Sequence, residues 1–152
     1  MRIARLYLAI AVAPCIVGLV FSSTALAAPP EPCSLLTTAE VEQVVGKLKG
    51  QPQADKEGAA GWCNYEFVSD KDRFEIWVGP GDAFIRMRKD AKNPVSVKGL
   101  GDDAFITRGA HDLDYVDLTI KKGAVLLQLA LKQTAADEAK LKTLGQKAMG
   151  RF

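Results

Sequence analysis

Two stretches of the chain alternate between apolar and polar residues with the period of two that is typical of half-buried β-strands. They cover residues 62–68 and 73–79, and the four polar residues between them predict a hairpin loop. Pairing around this loop places three apolar pairs on the core face: Cys63 with Val78, Tyr65 with Ile76, and Phe67 with Phe74. The other face carries Trp62, Asn64, Glu66, Glu75 and Trp77.

A second hairpin is predicted closer to the C-terminus. Residues 114–121 and 124–132 alternate in the same way, and Lys122-Gly123 predicts the turn between them. The expected apolar pairs are Val116 with Leu129, Leu118 with Leu127, and Ile120 with Val125. Shorter strands are expected at residues 95–97 and 104–107, where they extend the sheet.

Capping residues predict where two helices begin. Thr37 and Glu40 have the spacing of a capping box, and Gly46 suits the position just beyond the end of a two-turn helix. Asp82 is expected to cap a second short helix that runs through Lys89. These signals are local, so they predict the helices without saying where the helices pack.

A third helix and the overall class follow from the remaining pattern. Thr134 is expected to cap the last helix, with Leu141, Leu144 and Ala148 as its apolar stripe. The polar segment 47–61 is predicted to be a loop. We therefore expect an α+β domain: an antiparallel sheet, built from two hairpins and one or two short strands, with helices packed on one face.

The N-terminal residues indicate export. Two arginines precede an apolar run at residues 6–20, and Ala25-Leu26-Ala27 has the pattern that a signal peptidase cleaves. The run is shorter than the roughly 20 residues that a membrane-spanning helix needs. We expect residues 1–27 to be a cleaved signal peptide, 28–32 a disordered proline-rich leader and 33–152 one domain. The predicted location is the periplasm or the extracellular medium.

Charge narrows the range of partners. The chain has 20 Lys and Arg against 18 Asp and Glu, and two of the arginines belong to the predicted signal peptide. The mature protein is therefore close to neutral. Nucleic-acid binding requires clustered positive charge, so nucleic acid is not an expected partner. Attachment to an anionic membrane surface is disfavoured for the same reason, and no membrane insertion is expected after cleavage.

Cys33 and Cys63 remain in the mature chain. An even pair of cysteines in an exported protein predicts a disulfide. A redox or zinc site would need C-x-x-C spacing or further ligands, and neither is present around these two residues.

Exposed aromatic residues suggest a binding surface. If the helices cover the Cys63 face, Trp62 and Trp77 lie on the outer face among Asn64, Glu66 and Glu75. Aromatic rings surrounded by polar groups are typical of interfaces. The alternative is that another part of the chain, such as segment 47–61, covers both indoles. We expect a non-catalytic module that binds an unknown protein or small ligand in the cell envelope, without a cofactor or metal.

An enzyme is the alternative function. His111 is the only histidine, and it stands beside Asp112 in a loop where it could act as a general base. Several carboxylates occur near it in sequence: Asp102, Asp103, Asp112, Asp114 and Asp117. Their spacing is not that of a calcium loop, and aspartate is common in turns. No G-x-S-x-G nucleophile motif is present.

Two groups of residues resemble a family of small bacterial secreted proteins and lipoproteins that share a domain of unknown function. One is Cys33-Ser34-Leu35-Leu36-Thr37 with Glu40-Val41 and Gly46, and the other is residues 97–105, which contain Gly-Leu-Gly-Asp. The resemblance implies an extracytoplasmic α+β domain and supplies no catalytic residues. The chain differs from the lipoprotein members because it has no cysteine for lipid attachment at the signal boundary.

Overall fold

Seven antiparallel strands form one sheet in the order β1-β2-β3-β7-β6-β5-β4. The computed structural model describes residues 29–69, 72–109, 115–132 and 138–152. The strands are β1 Gln53–Glu57, β2 Ala60–Glu66, β3 Arg73–Pro80, β4 Val95–Ser96, β5 Asp103–Arg108, β6 Tyr115–Lys122 and β7 Val125–Lys132. The helices are α1 Thr38–Val44, α2 Ala83–Asp90 and α3 Glu138–Met149, and a 3-10 turn spans Pro32–Ser34. The predicted α+β class with an antiparallel sheet is confirmed.

One face of the sheet, here called the first face, holds the main core. Its strands contribute Cys63, Tyr65, Phe74, Ile76, Leu118, Ile120, Leu127 and Leu129, all of which are buried. Helices α1 and α3 cover this face through Val41, Leu141, Leu144 and Ala148. Gly145 lets α3 approach closely, since a Cβ there would lie 2.8 Å from a methyl carbon of Leu118. The predicted apolar stripe of the last helix is confirmed, whereas Thr134 lies outside the described residues.

The predicted capping box of α1 is present. The Thr37 hydroxyl accepts a hydrogen bond from the Glu40 amide, and the Glu40 carboxylate accepts one from the Thr37 amide at 2.9 Å. Arg151 at the C-terminus donates to the other Glu40 oxygen at 3.0 Å and to the Leu35 carbonyl at 2.9 Å. The Arg151 guanidinium and the hydrogen bonds from Thr37 lower the pKa of Glu40 to about 2. This carboxylate therefore connects the first helix to the end of the last.

The predicted disulfide is present between Cys33 and Cys63. It joins the 3-10 turn to the centre of β2, where Cys63 is fully buried. The Tyr65 hydroxyl, two residues along β2, donates to the Leu36 carbonyl at 3.2 Å. Burial of this phenol raises its pKa to about 12. The bridge and this hydrogen bond hold the segment before α1 against the sheet. Pro32, the last residue of the predicted leader, is buried in the same turn.

The prediction that the helices pack on one face is wrong. Helix α2 lies on the opposite side of the sheet, here called the second face, where Ala83 and Phe84 pack against Phe105 and Leu126. The register places both of these strand residues on the side opposite the main core. Helix α2 is amphipathic. Its apolar residues pack on the second face because Trp77, Phe105 and Leu126 of β3, β5 and β7 supply apolar side chains on that face. Asp82 precedes the helix without a side-chain capping hydrogen bond, contrary to expectation.

Both predicted hairpin registers are displaced by two residues. Cys63 pairs with Ile76 and Tyr65 with Phe74, while Phe67 leaves the hairpin and bridges to Leu48. In the second hairpin Leu118 pairs with Leu129, Ile120 with Leu127 and Val116 with Leu131, because the two-residue turn is Gly123-Ala124. A displacement of two residues keeps every side chain on its predicted face. The predicted core residues of both hairpins are therefore correct although their partners are not.

Segment 47–61, predicted to be a loop, contains an edge strand. Residues Gln53–Glu57 pair with β2, and all five are exposed. The strand has no apolar alternation, because neither of its faces reaches the core. No helix in the described part of the chain has the length and hydropathy to span a bilayer.

Candidate functional site

The second face of the sheet carries most of the polar residues that lie inside the fold. Two rows of side chains run across its strands at adjacent positions. The first row is Trp62, Trp77, Gln128, Thr119 and Phe105. The second row is Asn64, Glu75, Ala130, Asp117 and Thr107. Helix α2 crosses only part of this surface, and the part that it leaves uncovered contains a cavity.

This cavity has a volume of about 270 Å³, and we call it the Asp117 pocket. Its floor is the sheet, through Phe105, Thr107, Asp117, Thr119 and Gln128. Its wall and rim are Met87, Asp90, Ala91, Lys92 and Gly109, most of them from the C-terminal half of α2 and the residues after it. The pocket is thus built between one helix end and three neighbouring strands.

The floor is unusual because its polar residues are buried. Asp117 and Thr119 are each 1 % exposed, and Thr107 is 4 % exposed. They are the buried polar residues of the described chain, and all three line this pocket. Burying polar groups is costly, so three buried polar residues in the lining of one cavity make this cavity the candidate site.

The strand register explains how the three residues meet. Thr107 on β5 lies directly opposite Asp117 on β6, and Thr119 follows two residues later on the same face. Their neighbours Val116, Leu118 and Ile120 point to the main core on the first face. The apolar packing of β6 on the first face therefore places Asp117 and Thr119 on the second face. Residues of α2 form the wall of the pocket beside them.

The predicted binding residues lie on this same second face. Trp62 and Trp77 are direct cross-strand partners, with ring centroids 6.4 Å apart, and both are half-buried. Asn64 pairs with Glu75 in the adjacent row, and the exposed Glu66 pairs with Arg73 one row further. Their assignment as a binding site stays a prediction. Within segment 47–61, residues 53–57 lie beside β2 as its edge neighbour, with Asp55 paired to Trp62.

Trp77 is not among the residues that line the Asp117 pocket, although the apolar cluster that it contacts shares Phe105 with the floor. Its indole contacts the cluster formed by Ala83, Phe84, Phe105 and Leu126. A Cβ on Gly79 would overlap the indole, which shows that the ring lies over this glycine. Gln128 is the cross-strand partner of Trp77 and also lines the pocket floor. The two indoles and the pocket therefore occupy neighbouring parts of one face.

The structure does not bring the predicted acidic residues together. Asp102 accepts a hydrogen bond from the Gly123 amide at 2.7 Å, and Asp103 forms an ion pair with Arg88 at 2.6 Å. Asp117 lies at a separate place, opposite Thr107. His111, Asp112 and Asp114 lie outside the described residues. Among the residues that are described, no group of three His, Cys, Asp or Glu side chains is arranged to hold a metal ion.

Gly99 and Gly101 lie in the turn before β5. Their φ angles are 80° and 59°, a conformation that favours glycine. Leu100 between them is buried in the main core. The Gly-Leu-Gly-Asp group thus forms the turn before β5, with Leu100 anchored in the main core.

Sequence reasoning missed the pocket, although it listed Asp117 among the acidic residues. Thr107, Asp117 and Thr119 alternate with core residues, a pattern that is typical of a solvent-exposed strand face. The residues become buried only because α2 packs on the second face, and the amphipathic pattern of α2 calls for an apolar surface without saying which face supplies it.

Comparison of the chain with protein-family models, with curated proteins and with solved structures finds no match. The resemblance to the secreted family therefore stays a prediction, and the proposals below depend on the geometry of this chain alone.

Proposed function

We propose that this protein is an exported, non-catalytic binding domain that takes a small ligand into the Asp117 pocket. The observation that carries the proposal is the cavity of about 270 Å³ whose floor consists of buried polar side chains. Ligand pockets combine apolar walls with a few fixed polar groups, and their volumes begin near 300 Å³. This pocket is close to that lower limit, so its ligand is a compact molecule.

The rest of the fold supports the pocket as a rigid site. The floor residues lie on the adjacent strands β5, β6 and β7, which are anchored on the first face by Ile106, Leu118 and Leu129. Sites on strands are held more precisely than sites on loops. Phe105 and Met87 supply apolar surface beside the polar floor. A ligand with a short apolar body and one polar end fits this combination.

Export is the second part of the proposal. The signal pattern of residues 1–27 and the Cys33–Cys63 disulfide both favour an oxidising compartment, the periplasm or the extracellular medium. Mass spectrometry of the protein from its natural host tests this directly. We expect a chain that starts at Ala28 and is two hydrogens lighter than the reduced form. A cytosolic protein with residue 1 intact would contradict it.

The alternative function, a hydrolase or metal-dependent enzyme that uses His111 and nearby aspartates, gains no support from the described carboxylates. Asp102 and Asp103 are engaged with Gly123 and Arg88, apart from Asp117. Binding is therefore the function we propose.

A fragment screen followed by NMR tests the binding function. We would add a library of neutral, anionic and cationic fragments to the ¹⁵N-labelled mature domain and follow its amide signals. Ligands are expected to shift the signals of Thr107, Thr119 and Gln128, which line the floor. The variant Ala91→Trp fills the rim of the pocket and is expected to abolish these shifts.

The matched control for this variant is Ala39→Trp, because Ala39 is exposed on α1, which covers the first face. It is expected to bind fragments as the wild type does. A library in which no fragment shifts the floor signals would overturn the proposed function. Equal shifts in the wild type and Ala91→Trp would place the site elsewhere and overturn it as well.

A further inference from the structure

We propose that the protein has a second ligand site, a groove beside α2 that binds a small amphipathic anion such as a medium-chain carboxylate. We call it the Ile85 groove, and its volume is about 560 Å³. The groove shares no lining residue with the Asp117 pocket, so its ligand is independent of the function proposed above.

One side of the groove is the exposed side of helix α2. Ile85 and Lys89 are four residues apart, so they are neighbours on the helix surface, and both are exposed. Ile85 is 75 % exposed, the highest value among the large apolar residues of the described chain. A single exposed isoleucine is ordinary on a protein surface. This one, however, lines a groove together with Phe84, and the groove therefore offers apolar surface to the hydrocarbon part of a ligand.

The opposite side of the groove comes from the Gly-Leu-Gly-Asp turn and the end of strand β6. The Asp102 amide donates to the Lys121 carbonyl at 2.8 Å, and the Asp102 carboxylate accepts from the Gly123 amide at 2.7 Å. Gly101 permits this close approach, since a Cβ there would overlap the Lys121 carbonyl. The turn therefore fixes Asp102 and Lys121 along one side of the groove.

Arg88 connects the two sides of the groove. Its guanidinium forms an ion pair with Asp103 at 2.6 Å and donates a hydrogen bond to Ser96. It also lies 6.0 Å and 5.7 Å from the ring centroids of Phe84 and Phe105. These contacts hold α2 beside β5 and fix the shape of the groove, and the charges of the ion pair balance each other.

The charges that remain favour an anion. The lining contains three cations and two carboxylates, and one of each forms the ion pair just described. The others are Lys89, Lys121 and Asp102, which leaves an excess of one positive charge. In the part of the chain that the structure describes, neither lysine takes part in an ion pair. Asp90, which follows Lys89 in the sequence, lines the Asp117 pocket instead.

The lining groups specify the two parts of the ligand. Each lysine has a flexible side chain with three N–H donors, which a carboxylate can accept. Ile85 and Phe84 can contact a hydrocarbon chain attached to that carboxylate. Ligand clefts commonly have volumes of about 300–1,000 Å³, and the groove lies within this range. A medium-chain monocarboxylate therefore fits, whereas acetate lacks the chain and an alcohol lacks the charge.

The experiment compares hexanoate, 1-hexanol and acetate. Each is titrated at millimolar concentration into the ¹⁵N-labelled mature domain. Hexanoate is expected to shift the amide signals of Ile85, Lys89, Asp103 and Lys121. It should bind about fivefold more tightly than hexanol, because ion pairs in contact with solvent add a modest attraction. Acetate should bind at least about tenfold more weakly than hexanoate, because it has no chain to bury.

A double variant, Lys89→Gln with Lys121→Gln, removes both charges and keeps the length of the side chains. It should bind hexanoate no more tightly than hexanol, with the affinity for hexanol unchanged. Lys47→Gln with Lys49→Gln is the matched control, since it removes the same charge from exposed residues outside the groove. A Lys89/Lys121 variant that still prefers hexanoate, or a control that loses the preference equally, would overturn the proposal. Should the double variant fail to fold, the exposed Lys89→Gln alone should reduce the preference about twofold.

The apolar contact is tested by Ile85→Ser. This variant should weaken the binding of hexanoate and hexanol alike by about threefold or more, because less hydrocarbon is buried. Val68→Ser is the matched control, because Val68 is also an exposed apolar residue and lies outside the groove. Unchanged affinities in Ile85→Ser would contradict the proposed position of the chain.

The outcomes distinguish this site from the Asp117 pocket. Shifts confined to the groove residues support the second site, whatever the fragment library finds in the pocket. If hexanoate shifts only the signals of Thr107, Thr119 and Gln128, the Ile85 groove is refuted and the proposed function stands. If hexanoate shifts neither set, or if hexanol binds the groove as tightly as hexanoate does, the proposal of an anion site is wrong.

Discussion

Replacing Glu40 tests whether one carboxylate couples the start of α1 to the C-terminus. One Glu40 oxygen accepts from the Thr37 amide, and the other accepts from Arg151 at 3.0 Å, with the Lys147 ammonium 3.8 Å away. Glu40→Gln preserves the shape and can still accept the Thr37 hydrogen bond. It removes the negative charge, so the loss of stability in this variant measures the charged contacts.

Two considerations set the size of the stability loss expected for Glu40→Gln. A fall in the pKa of Glu40 from 4.5 to about 2 corresponds to an upper limit of about 3 kcal/mol. The side chains of Glu40 and Arg151 are 20 % and 37 % exposed, however, and solvent screens such pairs. We therefore expect Glu40→Gln to lower the free energy of unfolding at pH 7 by about 1 kcal/mol. For a domain of this size that is a fall in Tm of about 4 °C.

The pH dependence supplies the stricter test. Because the folded-state pKa is lowered, the stabilisation is complete above pH 4.5 and is lost as the pH falls towards 2. Thermal unfolding followed by circular dichroism at several pH values should show wild type and Glu40→Gln converging in acid. Glu57→Gln on the exposed strand β1 is the control and should match wild type at pH 7. A difference between wild type and Glu40→Gln that stays constant from pH 7 to pH 2 would refute the reasoning.

Two further substitutions test the packing of each face. Cys33→Ser should lower the free energy of unfolding by about 3–4 kcal/mol, because the disulfide closes a loop with a sequence separation of 30. The two proteins are compared by chemical denaturation under non-reducing conditions, and a loss below about 1 kcal/mol would contradict this. Gly79→Ala should cost about 1–3 kcal/mol and change the tryptophan fluorescence, because the added methyl overlaps the Trp77 indole. Gly50→Ala, whose Cβ would meet no atom within 4 Å, is the control for an effect of glycine replacement alone.

Elements with local signals could be predicted from the sequence. The capping box of α1 needs only Thr37 and Glu40, three residues apart, and both of its hydrogen bonds are present. The two hairpins were assigned to the correct faces because strand alternation depends on neighbours in the chain. Their predicted registers were wrong by two residues, and the pattern could not reveal this, since a shift of two residues keeps every side chain on its face. The bridge between Phe67 and Leu48 and the turn at Gly123-Ala124 select the observed registers.

Features that depend on distant contacts could not be predicted. Strand β1 is exposed along its whole length, so no apolar pattern marks it, and it forms because the edge of β2 offers free backbone groups. The side on which α2 packs was not predictable from its own sequence, because an amphipathic helix fits any apolar surface. It packs on the second face through Phe84, which meets Phe105 with ring centroids 5.3 Å apart.

The placement of α2 links the predicted tryptophan surface to the Asp117 pocket. The helix is anchored at its N-terminal end by Ala83 and Phe84, and at this end the Trp77 indole joins the same cluster. Its C-terminal half, where Met87 and Ala91 pack against the same cluster, also forms the wall of the Asp117 pocket above three buried polar residues. An apolar residue in place of Asp117 or Thr119 would continue the apolar cluster across the floor of the pocket. The chain instead places three buried polar residues where packing alone would favour apolar ones, and the proposed ligand binding accounts for that choice.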